Sequence, residues 1–119
     1  LGVGDRILML ENAWYSVISP EMCATILWRD SSRAAEAAQL LRLTPTDLLK
    51  FGIIDDVITE PLGGAHRDHA FTGMQIRSFL RRYLAVIRKI PVDRLVEERL
   101  GRFRKIGRFN EKSLVEVEM

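Results

Sequence analysis

Two apolar runs rich in β-branched and aromatic residues, one at 6–11 continuing through 14–18 and one at 53–58, bracket a stretch punctuated by helix-start signals. That order constrains the chain more than any bulk property. Asn12-Ala13 interrupts the first run, which reads as two short strands or one bent strand, buried on at least one face. Ser19-Pro20-Glu21 then opens a helix. The serine accepts a bond from a free first-turn amide, proline loses nothing at the first helical position, and glutamate suits the positive end of the dipole. Met22, Cys23, Ile26 and Leu27 follow at helical spacing and predict a helix packed under a sheet, with Arg29 and Asp30 returning the chain to the surface.

The remaining punctuation is equally local. Ser31 or Ser32 can cap an alanine-rich helix over 33–42, and Thr44-Pro45-Thr46-Asp47 begins a short one that Gly52 ends. Residues 53–58 read as a further strand, and Glu60-Pro61-Leu62-Gly63-Gly64 carries turn chemistry. From about 70 to 90, Ile76, Phe79, Leu80, Tyr83, Leu84, Ile87 and Ile90 recur three or four apart, the signature of a long amphipathic helix. Pro91 interrupts it, Asp93 favours a new start, and Leu95, Leu100, Phe103 and Ile106 extend an apolar stripe until Gly107. The tail over 109–119 has no period and is expected to fray. Internal repeats and low-complexity segments are absent from the sequence.

A chain of 119 residues, 47% of them hydrophobic, predicts one domain with one core, burying roughly 60–70% of its unfolded surface. The sequence opens on Leu1, shows no signal pattern and has no apolar run near the ~20 residues of a membrane span, so a soluble cytoplasmic protein is expected. Cys23 is the lone cysteine, which denies the chain its own disulfide or cysteine-based zinc site, and it reads as a small buried hydrophobe. The formal charge of +2 conceals a gradient. Residues 1–70 hold six basic and ten acidic side chains, 71–108 eleven and three, and 109–119 one and three. A basic helical segment can attract polyanions, although a solvated helix face is the commoner reading.

The usual catalytic constellations are absent: no glycine-flanked nucleophilic serine, no helical histidine pair, no phosphate loop with lysine, no paired cysteines. Two motifs stand out instead, Trp14-Tyr15-Ser16-Val17-Ile18-Ser19-Pro20-Glu21-Met22-Cys23-Ala24-Thr25-Ile26-Leu27-Trp28 and Glu60-Pro61-Leu62-Gly63-Gly64-Ala65-His66-Arg67. With residues 4–11, 52–58, 95–99 and 103–107 in the same order, they resemble the α subunit of the bacterial acetyl-CoA carboxylase carboxyltransferase over nearly the whole chain, though only over the carboxy-terminal part of that family's length. The resemblance implies an α/β chain: the second half of a ClpP/crotonase-like domain, a ββα superhelix, in residues 1–69, carboxy-terminal helices packed on it in 70–108, and a frayed tail in 109–119.

The same resemblance implies a function. The family moves the carboxyl group of carboxybiotin, presented by a biotin carboxyl carrier protein, to acetyl-CoA, giving malonyl-CoA for fatty acid biosynthesis. Its α chain pairs with a β subunit as α2β2, and biotin carboxylase completes the ATP-dependent complex. No cofactor or metal is expected on this chain itself, and no membrane partner. The charges that develop sit on an enolate oxygen and a ureido oxygen, which backbone amides can stabilise. The family's main glycine-rich oxyanion element lies upstream of the segment resembled here, so the chain by itself is expected to be inactive.

Two candidate linings of a substrate or biotin site follow. The first is the helix start Ser19, Pro20, Glu21, Met22 and Cys23, whose free amides suit an anionic oxygen, against the competing reading of an ordinary capped helix. The family has glycine where Met22 stands, so Met22 must point elsewhere or narrow the site. The second is the turn with Gly63, Gly64, His66 and Arg67: Arg67 offers a charge-assisted fork to phosphate or carboxylate, against a purely structural turn that pins helices or a partner. The family follows this turn with proline where His69 stands, which predicts a less constrained loop. His66 and His69 lack a third ligand for a metal. Glu97, Glu98, Arg99, Arg102, Arg104 and Lys105 read as surface charge, and Trp14, Tyr15, Trp28, Phe51 and Phe79 as fillers of a core or subunit interface. A carboxyltransferase for another acyl-CoA such as propionyl-CoA is the nearer alternative. A basic helical nucleic-acid-binding module is the more distant one, and it leaves both motifs unexplained.

Overall fold

Residues 2–107 are described by a computed structural model; the tail expected to fray lies outside them. The chain runs β1 (Leu8–Leu10), α1 (Pro20–Trp28), a 3₁₀ turn (Ser31–Arg33), α2 (Ala34–Leu41), α3 (Pro45–Lys50), β2 (Asp56–Ile58), a second 3₁₀ turn (Ala65–Arg67), α4 (His69–Ile87) and α5 (Val92–Arg104). The strands pair in parallel, with Leu8 opposite Asp56 and Leu10 opposite Ile58, and α1 to α3 form the crossover between them. This is an α/β chain, helix-rich around a short parallel ladder.

The helix starts sit where their caps dictate. Ser19 Oγ accepts from Met22 N at 3.2 Å with Pro20 at the first position, and Thr44 Oγ1 accepts from Asp47 N at 3.3 Å with Pro45 likewise placed. Asp30, not either serine, caps the segment before α2, through a 2.9 Å bond from Ser32 N. Arg29 and Arg42 close α1 and α2 in the left-handed conformation, and Gly52 does so after α3.

Strand content is smaller than the apolar runs suggest. Residues 14–18 form no strand; Tyr15 N donates instead to Leu43 O, and only three residues of each remaining run pair. Apolar content qualifies a segment for a strand, but a ladder also needs a neighbour. Nor does α1 lie under the sheet. It packs on α2 through Ala24 and Ala37, both completely buried, while Met22, Ile26 and Leu27 are exposed and Cys23 is half-buried. Small residues at that contact let the two backbones approach and turn the larger side chains outward.

The core is correspondingly thin. Met9, Leu48 and Ile54 are its buried centre, flanked by Ile7, Ala13, Tyr15, Ile53 and Val57. Trp14 and Phe51 lie more than half exposed, at 63% and 55%, so neither fills it. The chain exposes 9873 Å², against roughly 6,600 Å² for a compact monomer of its mass, and so buries about half its unfolded surface, less than expected. Its radius of gyration of 18.9 Å likewise exceeds the ~13.5 Å of a compact chain this long.

Charge completes what apolar burial leaves undone. Arg99 Nε meets Asp5 Oδ1 at 2.8 Å, and Arg102 meets Asp55 Oδ2 at 2.8 Å while donating to the carbonyls of Asp5 and Ile53. Neither is the solvated surface charge their sequence suggests. Three apart on α5, they share a face and fasten it to the residues that precede β1 and β2. Asp55, at a bend before β2, and Asp56, the first residue of β2, serve different helices: Asp55 takes α5, whereas Asp56 pairs with Arg82 and accepts from Tyr83 OH at 2.9 Å on α4. Loss of the α3 cap in Thr44→Ala is expected to cost about 1 kcal/mol in urea unfolding, whereas Arg94→Ala, which breaks only an exposed pair with Glu98, should change stability by less than about 0.5 kcal/mol.

Candidate functional site

Because β1 and β2 are parallel, the segments that follow them leave the sheet at the same end, where open α/β sheets place their ligands. Both candidate linings lie on those segments. Two glutamates join the exits. Glu11 Oε2 accepts from Glu60 N at 3.1 Å; Glu60 Oε2 accepts from Asn12 N at 2.5 Å and its Oε1 from Ala65 N at 2.9 Å. Backbone pairing continues beneath them, from Glu11 N to Ile58 O at 2.9 Å. Sequence reading placed Glu60 in the turn motif without assigning it a task. Acidic residues one position beyond the first strand and two beyond the second were the only available signal.

The diglycine turn is built from the backbone up. Gly64 N donates to Pro61 O at 2.9 Å and Arg67 N to Gly64 O at 3.0 Å, closing two successive tight turns. Gly63 and Gly64 have φ of 89° and 102°, where a side chain is strained. A Cβ on Gly63 would also come within 3.1 Å of Arg67 Cγ, so the arginine stem lies over that glycine. Behind the turn, buried Thr72 shares its single Oγ1 proton between Asp68 O at 2.8 Å and Ala65 O at 3.1 Å. Asp68 caps α4 by accepting from Phe71 N at 2.8 Å, and His69 occupies the first helical position.

His66 and Arg67 face solvent, and Arg67 has no carboxylate partner among the described residues. The Gly64 amide is spent inside the turn, whereas the Gly63 amide has no backbone acceptor among the described residues. At the other lining, Ser19 caps the Met22 amide and Cys23 N bonds Ser19 O, while Pro20 has no amide to offer. Glu21 and Met22 are exposed, so the Met22 side chain projects outward from α1. The packing partners of the two linings differ: α1 rests on α2, and the turn rests on α4. A groove of about 340 Å³ opens beside the chain leading into α1, lined by Tyr15, Ser16, Val17, Leu48 and Ile53. Another of about 500 Å³ lies at the far end of α5, around Phe51, Gly52, Arg102 and Lys105.

Electrostatics account for part of the basic segment. Arg82, Arg99 and Arg102 turn toward Asp56, Asp5 and Asp55, and Arg82 also lies 4.6 Å over the Phe79 ring, so these charges are committed within the chain. Desolvation, then the bond to Asp56 and its charge, raise the Tyr83 phenol above its ordinary 10.0, with Arg82 opposing. Among the described residues no group of three His, Cys, Asp or Glu side chains is arranged to hold a metal, and no helix is long and apolar enough to cross a membrane.

Comparison with known proteins places this geometry in context. Residues 1–107 match the family described as acetyl co-enzyme A carboxylase carboxyltransferase-like. The acetyl-coenzyme A carboxylase carboxyl transferase subunit alpha of Rhodopirellula baltica is 50% identical over 113 residues, 95% of this chain and 35% of the relative. That of Protochlamydia amoebophila is 51% identical over 111 residues and that of Geobacter metallireducens 49% over 111, each covering 93% of this chain and 35% of the relative. The chain therefore spans about a third of the length of the curated relatives it matches.

Two outcomes follow from the site as built. Gly64→Ala should destabilise the chain by about 1–3 kcal/mol in urea unfolding, since alanine is strained at that φ. In a Tyr15→Phe background, which leaves Tyr83 as the sole tyrosine, phenolate absorbance should have its midpoint above pH 10, the ordinary value of 10.0 having been raised. The raised value favours the protonated phenol in the folded state, so its stabilisation is complete below the unfolded pKa and disappears as pH climbs through the folded one. A midpoint at or below 10 would contradict the Asp56 contact.

Proposed function

The chain belongs to the acetyl co-enzyme A carboxylase carboxyltransferase-like family, and from that premise we propose that it is part of a carboxyltransferase α subunit, a transferase of fatty acid biosynthesis. The observation that carries the proposal is the collinear match of residues 1–107, at about half identity to relatives that bear the α-subunit name. In this reading the complete enzyme moves the carboxyl group of carboxybiotin to the methyl carbon of acetyl-CoA, giving malonyl-CoA. A β subunit in an α2β2 assembly, a biotin carboxyl carrier protein and biotin carboxylase are its partners, in the cytoplasm. Residues 1–69 belong to a crotonase-like domain, with 70–108 as helices packed on it.

The chemistry asked of this chain is modest. Transfer through an enolate needs donors held where negative oxygen develops, and amides cost no reorganisation when the charge appears. The Glu21 amide in the first turn of α1, within the lining formed by Ser19, Pro20, Glu21, Met22 and Cys23, and the Gly63 amide beside Gly64 are the donors this reading uses, since the Met22 and Cys23 amides already bond Ser19. Outward projection of Met22 is compatible with the site despite the family's glycine. Arg67, with His66 beside it, is the group proposed to meet a carboxylate or phosphate, since its guanidinium is exposed and its stem is held over Gly63. Thin internal burial supports a role within a larger assembly. A propionyl-CoA substrate would use the same donors, and commitment of three arginines to internal carboxylates weighs against a nucleic-acid role.

The test is reconstitution. The isolated chain should form no malonyl-CoA from acetyl-CoA and carboxybiotin, whereas a complete α polypeptide carrying this sequence, joined to its β subunit, should do so and prefer acetyl-CoA to propionyl-CoA. Arg67→Ala in that enzyme should raise KM or lower kcat at least about tenfold, the loss of one charge-assisted contact. Activity of the isolated chain, or an inert reconstituted enzyme, would overturn the proposal.

A further inference from the structure

We infer that Glu60 is a positioning residue, which sets the diglycine turn against the exit of β1 and thereby fixes where Arg67 and the Gly63 amide stand. The inference rests on the carboxyltransferase reading and adds to it a residue that touches neither substrate. Its basis is the use of both carboxylate oxygens. Oε2 accepts from Asn12 N, just beyond β1, and Oε1 from Ala65 N, inside the turn, so one half-buried side chain spans two loops that are far apart in sequence. The Ala65 peptide is then held on both sides, its amide by Glu60 and its carbonyl by Thr72. Gly63 and Gly64 lie between that fixed peptide and Pro61. With φ of 89° and 102° they have the widest backbone freedom in the turn, and an anchor at Ala65 restrains it.

Glu11 provides the internal comparison. It too accepts an amide across the exits, from Glu60 N, but through a single oxygen. Glutamine can replace a carboxylate that accepts one bond, because its carbonyl oxygen still accepts. It cannot replace one that accepts two from different loops, because its NH₂ would then face a second N–H donor. Glu11→Gln should therefore be silent and Glu60→Gln should not.

The experiment compares Glu60→Gln, Glu11→Gln and a control, Glu36→Gln at an exposed position of α2, in the complete carboxyltransferase, reading acetyl-CoA release from malonyl-CoA with free biotin as acceptor. Glu60→Gln is expected to lower kcat at least about tenfold with KM for malonyl-CoA within about twofold, as misplacement of a donor rather than loss of binding predicts. The other two should stay within about twofold of wild type in both. Amide hydrogen exchange at Gly64 and Ala65 supplies a second readout in the chain itself, expected to speed at least about tenfold in Glu60→Gln and to be unchanged in Glu11→Gln. A Glu60→Gln enzyme with wild-type kcat, or unaltered exchange at both amides, overturns the inference. An inactive wild-type enzyme with the exchange difference intact overturns the carboxyltransferase reading alone.

Discussion

A parallel ladder of three residues per strand has too few bonds to stand alone, and side-chain carboxylates hold it at both ends. At the entry, Asp55 accepts from Ile7 N at 2.6 Å while its own amide donates to Ile7 O at 2.8 Å, and Arg102 closes on the same carboxylate from α5. At the exit, Glu11 and Glu60 each accept an amide from the other's strand. Everything positioned by the sheet depends on these ends. They orient α5 at one side of β2, leave Asp56 free to take α4 at the other, and bring the α1 approach and the diglycine turn out at a common edge.

What could be read from sequence divides along a physical line. Helix starts were legible at Ser19 and Thr44, and the end of α3 at Gly52, because a cap with its following proline, or a single glycine, acts on the backbone immediately beside it. Contacts of long sequence separation were not. Asp5 and Arg99 are 94 positions apart, and nothing in either neighbourhood marks the other, so charges fastened to strand ends looked like a solvated face. Residues 14–18 failed as a strand for a related reason, since pairing depends on a neighbour that composition cannot supply. For the site, the glycines and Arg67 were visible as a motif, whereas Glu60 was legible only as a turn residue.

The exposed apolar side chains follow from the same economy. Alanines at the α1–α2 contact and a core centred on Met9, Leu48 and Ile54 leave Met22, Ile26 and Leu27 in solvent. A surface of that kind suits a chain that works inside an assembly, as the family's α subunits are proposed to do here. It also explains why charge, not apolar area, fastens α5. Arg102 is only 18% exposed and satisfies a carboxylate and two carbonyls at once, which makes it expensive to lose and hard to replace.

The most direct test of this dependence is a double-mutant cycle on urea unfolding with Asp55→Asn and Arg102→Gln, in which asparagine retains an acceptor for the Ile7 amide. Coupling of about 1 kcal/mol or more is predicted, the size found for charged neighbours in one network. Additive effects, with coupling below about 0.3 kcal/mol, would contradict the claim that the ladder's entry is closed by α5.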